Sequence, residues 1–204
     1  MIWRLLKLNL GLVLFGVGIW LGLQAHLGVG PWDVLHGGLS SQLGFSFGRT
    51  SIGVSLAVLL LALAVGVPAG IGTVLNVLVI GVVIDLLLGA ALLDGLADQA
   101  VAVRLVGTVG GIAAVAAGSA LYLGAHLGPG PRDGLMVALV QRTGWSVGIC
   151  RALLELTVLV AGVALGGPVG LGTLAFAVGI GPAVQLAFTL LRQTPVRRAV
   201  EAPA

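Results

Sequence analysis

Charge is what this chain has least of. Ten Lys and Arg and seven Asp and Glu make up 8% of its 204 residues, against roughly 25% in a water-soluble domain. So little charge cannot clothe a folded surface that faces water, which excludes a soluble globule. Cysteine is equally scarce. Cys150 stands alone, ruling out an intrachain disulfide, and it reads as a small packing residue. The three histidines, His26, His36 and His126, have no metal-ligand spacing and no Cys or acidic cluster beside them, so no bound metal is expected. There is no HExxH segment, no Walker lysine and no paired nucleophile and base; the expectation is a protein that is not an enzyme and takes no cofactor. The basic residues form no stripe, so no nucleic-acid partner is expected.

What the chain does have is apolar sequence: 58% hydrophobic residues and a mean hydropathy of +1.17. This is the composition of an integral membrane protein. The apolar runs divide into six candidate spans, Leu8 to Ala25, Arg49 to Val65, Ile71 to about Leu93, Val101 to Ala125, Ile149 to Leu165 and Leu171 to Leu191, each close to the ~20 residues a bilayer requires. Arg4 and Lys7 precede the first run in the manner of a secretory signal, but that run is too long and no small-x-small cleavage site follows, so it reads as a retained span. Asp94 and Asp98 mark an aqueous loop, and Arg192, Arg197 and Arg198 form a basic tail. Two pieces of about 13 residues, Pro31 to Leu43 and Pro131 to Thr143, are too short to cross alone and read as short helices, re-entrant or interfacial.

The most specific signal is a duplication at an offset of 100 residues. His26-Leu27-Gly28-Val29-Gly30-Pro31-Trp32-Asp33 returns as His126-Leu127-Gly128-Pro129-Gly130-Pro131-Arg132-Asp133, and Ser46, Gly66, Pro68, Gly70, Gly72 and Thr73 recur in the same register. Between 18–88 and 118–188 about 27 of 71 positions are identical, and the His, Pro, Asp and Thr matches do not follow from Leu/Val/Gly bias. The repeats are 1–100 and 101–204, the second carrying the basic tail, within one membrane domain. Three spans per repeat is an odd number, so the second copy is expected upside down relative to the first. With both termini cytoplasmic, the inner side collects Arg4, Lys7, Arg132, Arg142, Arg151, Arg192, Arg197 and Arg198 and leaves Arg49 and Arg104 outside, as the positive-inside rule demands. The expected fold is thus all-α: six transmembrane helices as two inverted three-helix repeats, each with a short broken or re-entrant helix.

The repeated motif encodes a helix break. Gly28 and Gly30, like Gly128 and Gly130, are expected to supply backbone conformations closed to other residues. Pro31 and Pro131 suit the first position of a new helix, and Asp33 and Asp133 fall in its first turn. Broken helices within a bilayer leave unpaired N–H groups, and in inverted-repeat transporters such ends converge on the substrate. Gly28, Gly30, Pro31, Asp33, Gly128, Gly130, Pro131 and Asp133 are therefore candidate substrate-binding residues, with His26 and His126 at the preceding span ends. The plainer alternatives are that each aspartate caps its own helix and each histidine sits at the interface as a hydrogen-bonding residue. An acid inside a span costs roughly 2.5–3.5 kcal/mol on insertion scales, which makes Asp85 and Glu155 candidates for proton coupling. Glu155 has Arg151 one turn away, whereas Asp85 has no local partner and its repeat mate is Gln185.

The segments Gly28–His36, Gly70-Ile71-Gly72-Thr73, Gly130–Met136 and Gly144-Trp145-Ser146 resemble the YczE-type bacterial membrane proteins, within the broader YczE/YyaS/YitT grouping. The resemblance covers nearly the whole chain and implies a multi-spanning protein of the bacterial cytoplasmic (inner) membrane, without implying a substrate or catalytic residues. The function read from the sequence is a secondary transporter or permease of a small polar or anionic solute; the alternative is a membrane regulatory or assembly subunit that moves nothing. The expected partners are the lipid bilayer, a small-molecule solute and, in a homodimer, a second copy of the chain.

Overall fold

A computed structural model describes residues 1–191; the basic tail at Arg192, Arg197 and Arg198 lies outside the described residues. The described residues form eight α-helices and no strand: α1 (Ile2–Ala25), α2 (Pro31–Leu43), α3 (Phe47–Ala64), α4 (Ile71–Gly89), α5 (Val101–Leu123), α6 (Pro131–Thr143), α7 (Val147–Ala164) and α8 (Leu171–Leu190), with a 3-10 turn over Asp94–Asp98. Six of them are long and apolar enough to cross a membrane. The two short helices have the predicted bounds, and the element order of the first repeat returns in the second 100 residues on.

The motif residues account for these boundaries. Pro31 and Pro131 open α2 and α6, and Gly44 and Gly144, both at φ 70°, close them in the left-handed conformation that favours glycine. The Ser46 and Ser146 hydroxyls accept the N–H groups of Arg49 and Ile149, each at 3.3 Å, and so cap α3 and α7. Thr73 Oγ1 accepts the Gly70 N–H at 3.0 Å and Thr173 Oγ1 the Gly170 N–H at 3.3 Å, fixing the starts of α4 and α8.

α1 begins six residues ahead of its predicted start at Leu8. Its early basic residues are tied to protein: Arg4 donates from Nε to the Ala125 carbonyl at 2.8 Å and from Nη2 to that of His126 at 2.5 Å, and Lys7 reaches the Gly124 carbonyl at 2.9 Å. The exchange is reciprocal. Arg104, the repeat mate of Arg4, donates to the carbonyls of Ala25 and His26 at 2.8 and 2.7 Å. Each arginine thereby satisfies carbonyls left over where the other long helix ends.

Along the length between those ends, α1 and α5 pack antiparallel and very close. A Cβ on Gly18 would fall 2.6 Å from the Gly111 carbonyl oxygen, and one on Gly11 2.8 Å from that of Gly118. Small residues allow this approach. Leu8, Leu12, Ile19, Ile112 and Val115 form the core there, with Ile80 and Ile84 of α4 and Ile180 of α8 packed around them. The connections cross over too. The Gly172 N–H donates to the Leu27 carbonyl at 2.6 Å and the Gly72 N–H to that of Leu127 at 2.7 Å. α2 lies on α7, where Gly162 meets Leu35, and α6 lies on α3, where Gly134 meets Ala62. The two repeats are thus interlocked, each placing its short helix on a long helix of the other. Leu60, Leu78, Val106, Leu156 and Val178 point outward from the long helices, an apolar exterior suited to lipid.

Candidate functional site

The two helix restarts face one another across a cavity of about 140 Å³. The first break lines it with Gly30, Pro31, Trp32 and Asp33, and the second with Gly130, Arg132 and Asp133. The long helices add Ser51, Ser55, Asn76, Ser119, Tyr122 and the pair Arg151 and Glu155, while Phe15, Val115, Ile80 and Ile180 give it an apolar wall. Phe15 and Tyr122 meet edge to face, with centroids 6.3 Å apart.

Its charges are those of Asp33, Asp133, Arg132, Arg151 and Glu155. The Tyr122 hydroxyl donates to Asp133 Oδ2 at 2.5 Å. Asp33 is 4% exposed, and its Oδ1 has no hydrogen-bond partner among the described residues. His36 Nδ1 lies 3.3 Å from that oxygen, out of line for a hydrogen bond, and is itself without a partner. The Arg132 guanidinium lies over the Trp32 ring, 4.6 Å from its centroid, with Nη2 3.4 Å from His36 Nε2; a cation over an indole face is held by the ring quadrupole. Arg151 and Glu155 pair at 2.9 Å, one turn apart on α7.

Over residues 2–189 the sequence matches the family of unknown function DUF6198. The chain belongs to this family. It is similar to an uncharacterized protein of Haemophilus influenzae, 39% identical over 184 residues that cover 90% of this chain and 83% of that protein. It is also similar to the uncharacterized membrane protein YczE of Bacillus subtilis, 34% identical over 170 residues covering 82% of this chain and 77% of YczE. The B. subtilis protein YyaS is 26% identical over 172 residues, covering 81% of this chain and 83% of its own. No solved structure matches the chain. Six apolar helices and likeness to a membrane protein over most of its length make this family member a multi-span membrane protein.

Of the candidate residues, the cavity brings together Gly30, Pro31, Asp33, Gly130, Asp133 and Glu155. Pro131 opens α6 without lining it. His26 and His126 are exposed, at φ 49° and 52°, and take part through the carbonyls that Arg104 and Arg4 hold. The conformational role expected of all four motif glycines belongs to two of them. Gly28 and Gly128 have φ of 96° and 119°, and a Cβ would fall 2.4 Å from the Gly170 nitrogen or 2.8 Å from Thr73 Oγ1. Gly30 and Gly130 are at φ −60° and −64°, ordinary extended backbone. Glycine at 30 answers to space, because a Cβ would lie 2.9 Å from the Phe176 ring.

Asp85, which has no local partner in the sequence, has two distant ones. Ser46 donates to its Oδ2 at 2.5 Å and the Gly48 N–H to its Oδ1 at 2.7 Å, so this carboxylate completes the N-terminal cap of α3, and it stands outside the cavity lining. Arg132, Tyr122, Trp32, His36, Asn76, Ser51, Ser55 and Ser119 are not among the candidate site residues of the sequence. The signal that finds most of them is divergence between the copies: their repeat mates are Trp32, Gly22, Arg132, Met136, Phe176, Arg151, Glu155 and Ile19.

Proposed function

We propose that this protein is a secondary transporter or permease for a small polar solute, with the central cavity as its substrate site. The observation that carries this reading is that two helix breaks 100 residues apart open into one cavity, lined by Asp33, whose carboxylate accepts no hydrogen bond among the described residues. Breaks of this kind bind solutes in transporters built from inverted repeats. The antiparallel course of α1 and α5 and the three long helices per repeat support an inverted arrangement. At 13 residues each, α2 and α6 extend about 20 Å at 1.5 Å per residue, short of the ~30 Å hydrocarbon core, which supports helices that enter without crossing. The paired Arg151 and Glu155 and the polar lining serve recognition in this reading, and no group is assigned to catalysis. Purified protein in proteoliposomes is expected to take up at least one member of a panel of small polar metabolites, against protein-free vesicles as control. Correctly inserted protein that moves none of them would end the transport reading.

A further inference from the structure

We infer that the solute of this cavity carries an ammonium group, held between Asp33 and Asp133, and a carboxylate or carbonyl acceptor, held by Arg132. This rests on the transport reading for the identity of the site and adds to it the chemical class of what enters.

Asp33 Oδ1 has no hydrogen-bond donor among the described residues. A buried carboxylate oxygen that hydrogen-bonds to nothing is costly unless a donor arrives from outside the fold. Asp33 and Asp133 occupy the same register position, but the Tyr122 hydroxyl that serves Asp133 has Gly22 as its repeat mate. Asp33 lines the cavity, and among the described residues no hydrogen bond from the chain reaches its carboxylate, so the place that the tyrosine fills beside Asp133 is unfilled here. His36 Nδ1 lies close by but out of line.

The charge balance selects the class of donor. Arg151 and Glu155 neutralise one another. That leaves two carboxylates, Asp33 and Asp133, facing one guanidinium, Arg132, with His36 taken as neutral: one negative charge in excess. An anionic solute meets repulsion from both carboxylates, whereas an ammonium with an acceptor at its far end matches the carboxylates and the guanidinium together. A metal ion suits the site less well, since among the described residues no group of three His, Cys, Asp or Glu is placed to hold one. The volume limits size. About 140 Å³ is close to the ~150 Å³ engineered cavity that accepts benzene, so the solute has about six to eight non-hydrogen atoms.

The competing occupant is water. A second cavity of about 20 Å³ lies beside Asp33, bounded by Gly18, Gly22 and Thr108, enough for one molecule. Calorimetric titration of the purified full-length protein in detergent distinguishes the two. The probes are glycine, alanine, β-alanine and γ-aminobutyrate, each beside the carboxylic acid of the same skeleton without the amino group. At least one amino acid is expected to bind about tenfold or more tighter than its deaminated counterpart, and Asp33→Asn to lose about tenfold or more of that affinity. An unchanged unfolding temperature of unliganded Asp33→Asn would show that the loss is not one of folding. Equal binding of the deaminated acids, failure of every amino acid to bind, or full affinity in Asp33→Asn would overturn the inference and leave water as the occupant. Amine binding without uptake in proteoliposomes would sink the transport reading and keep this one; uptake of a solute without an amino group would do the reverse.

Discussion

Two aspartates share one register position, and only Asp133 has a tyrosine hydroxyl donating to it. Tyr122→Phe should leave Asp133 without that donor, as Asp33 already is, at a cost of about 1–3 kcal/mol for a lost hydrogen bond to a charged group, seen as a lower unfolding temperature in detergent. Asp85 makes the opposite case. It accepts from Ser46 and from the Gly48 backbone, so Asp85→Ala should destabilise by about 1–3 kcal/mol. Asp85→Asn, which keeps an acceptor, should cost about 0.3–1 kcal/mol for the charge at the start of α3. If it is a cap and not a coupling group, Asp85→Asn also leaves unchanged the response of uptake to an imposed pH gradient; loss of that response would restore it to the transport mechanism. Its partners were hidden in the sequence because one is 39 positions away and the other is a main-chain N–H. Insertion cost marks an acid as expensive without saying what offsets the expense.

Among elements, the ends carry the information. Pro31, Pro131, Ser46 and Ser146 told where helices begin because capping is local chemistry, read within four residues. The start of α1 was placed too late because the partners of Arg4 and Lys7 come from the end of α5, more than a hundred positions away. Arg4→Ala and Arg104→Ala should each cost about 1 kcal/mol as carbonyls lose their donors. The two arginines bind opposite ends of the α1 and α5 pair, so the double variant should equal the sum of the singles within about 0.5 kcal/mol. Chemical denaturation in micelles measures this, and a coupling well beyond that margin would mean the two ends do not act independently. The glycines divide by the same logic of near and far. A break could be read at Gly28 and Gly30, but the need for glycine at 30 comes from Phe176, which no local pattern announces.

For the molecule as a whole, the duplication made the architecture legible, since one register fixed eight helices by fixing four. It was a poorer guide to the cavity. Shared residues such as Gly28, Gly72 and Thr73 build the frame, while Arg132, Tyr122, His36 and Asn76 stand where the copies differ, so a search for repeated motifs passes over them. Orientation is the prediction proper to this scale. With an odd number of spans per repeat and the Lys/Arg split of the sequence, reporter fusions should place Asp94–Asp98 outside the cell and the segment around Arg142 in the cytoplasm; the reverse at either position would break the inverted arrangement. The reciprocal bonds between repeats also bear on descent. Arg4 to His126, Arg104 to His26, Gly72 to Leu127 and Gly172 to Leu27 all run from one repeat to the other. An ancestor one repeat long could have made every one of them only with a sister molecule laid antiparallel to it. Such a pair would have had the same side chains on both sides of its cavity, and so no means of telling one end of a solute from the other. In this chain positions 32 and 132 differ, and with Trp32 facing Arg132 the two sides of the cavity are unlike.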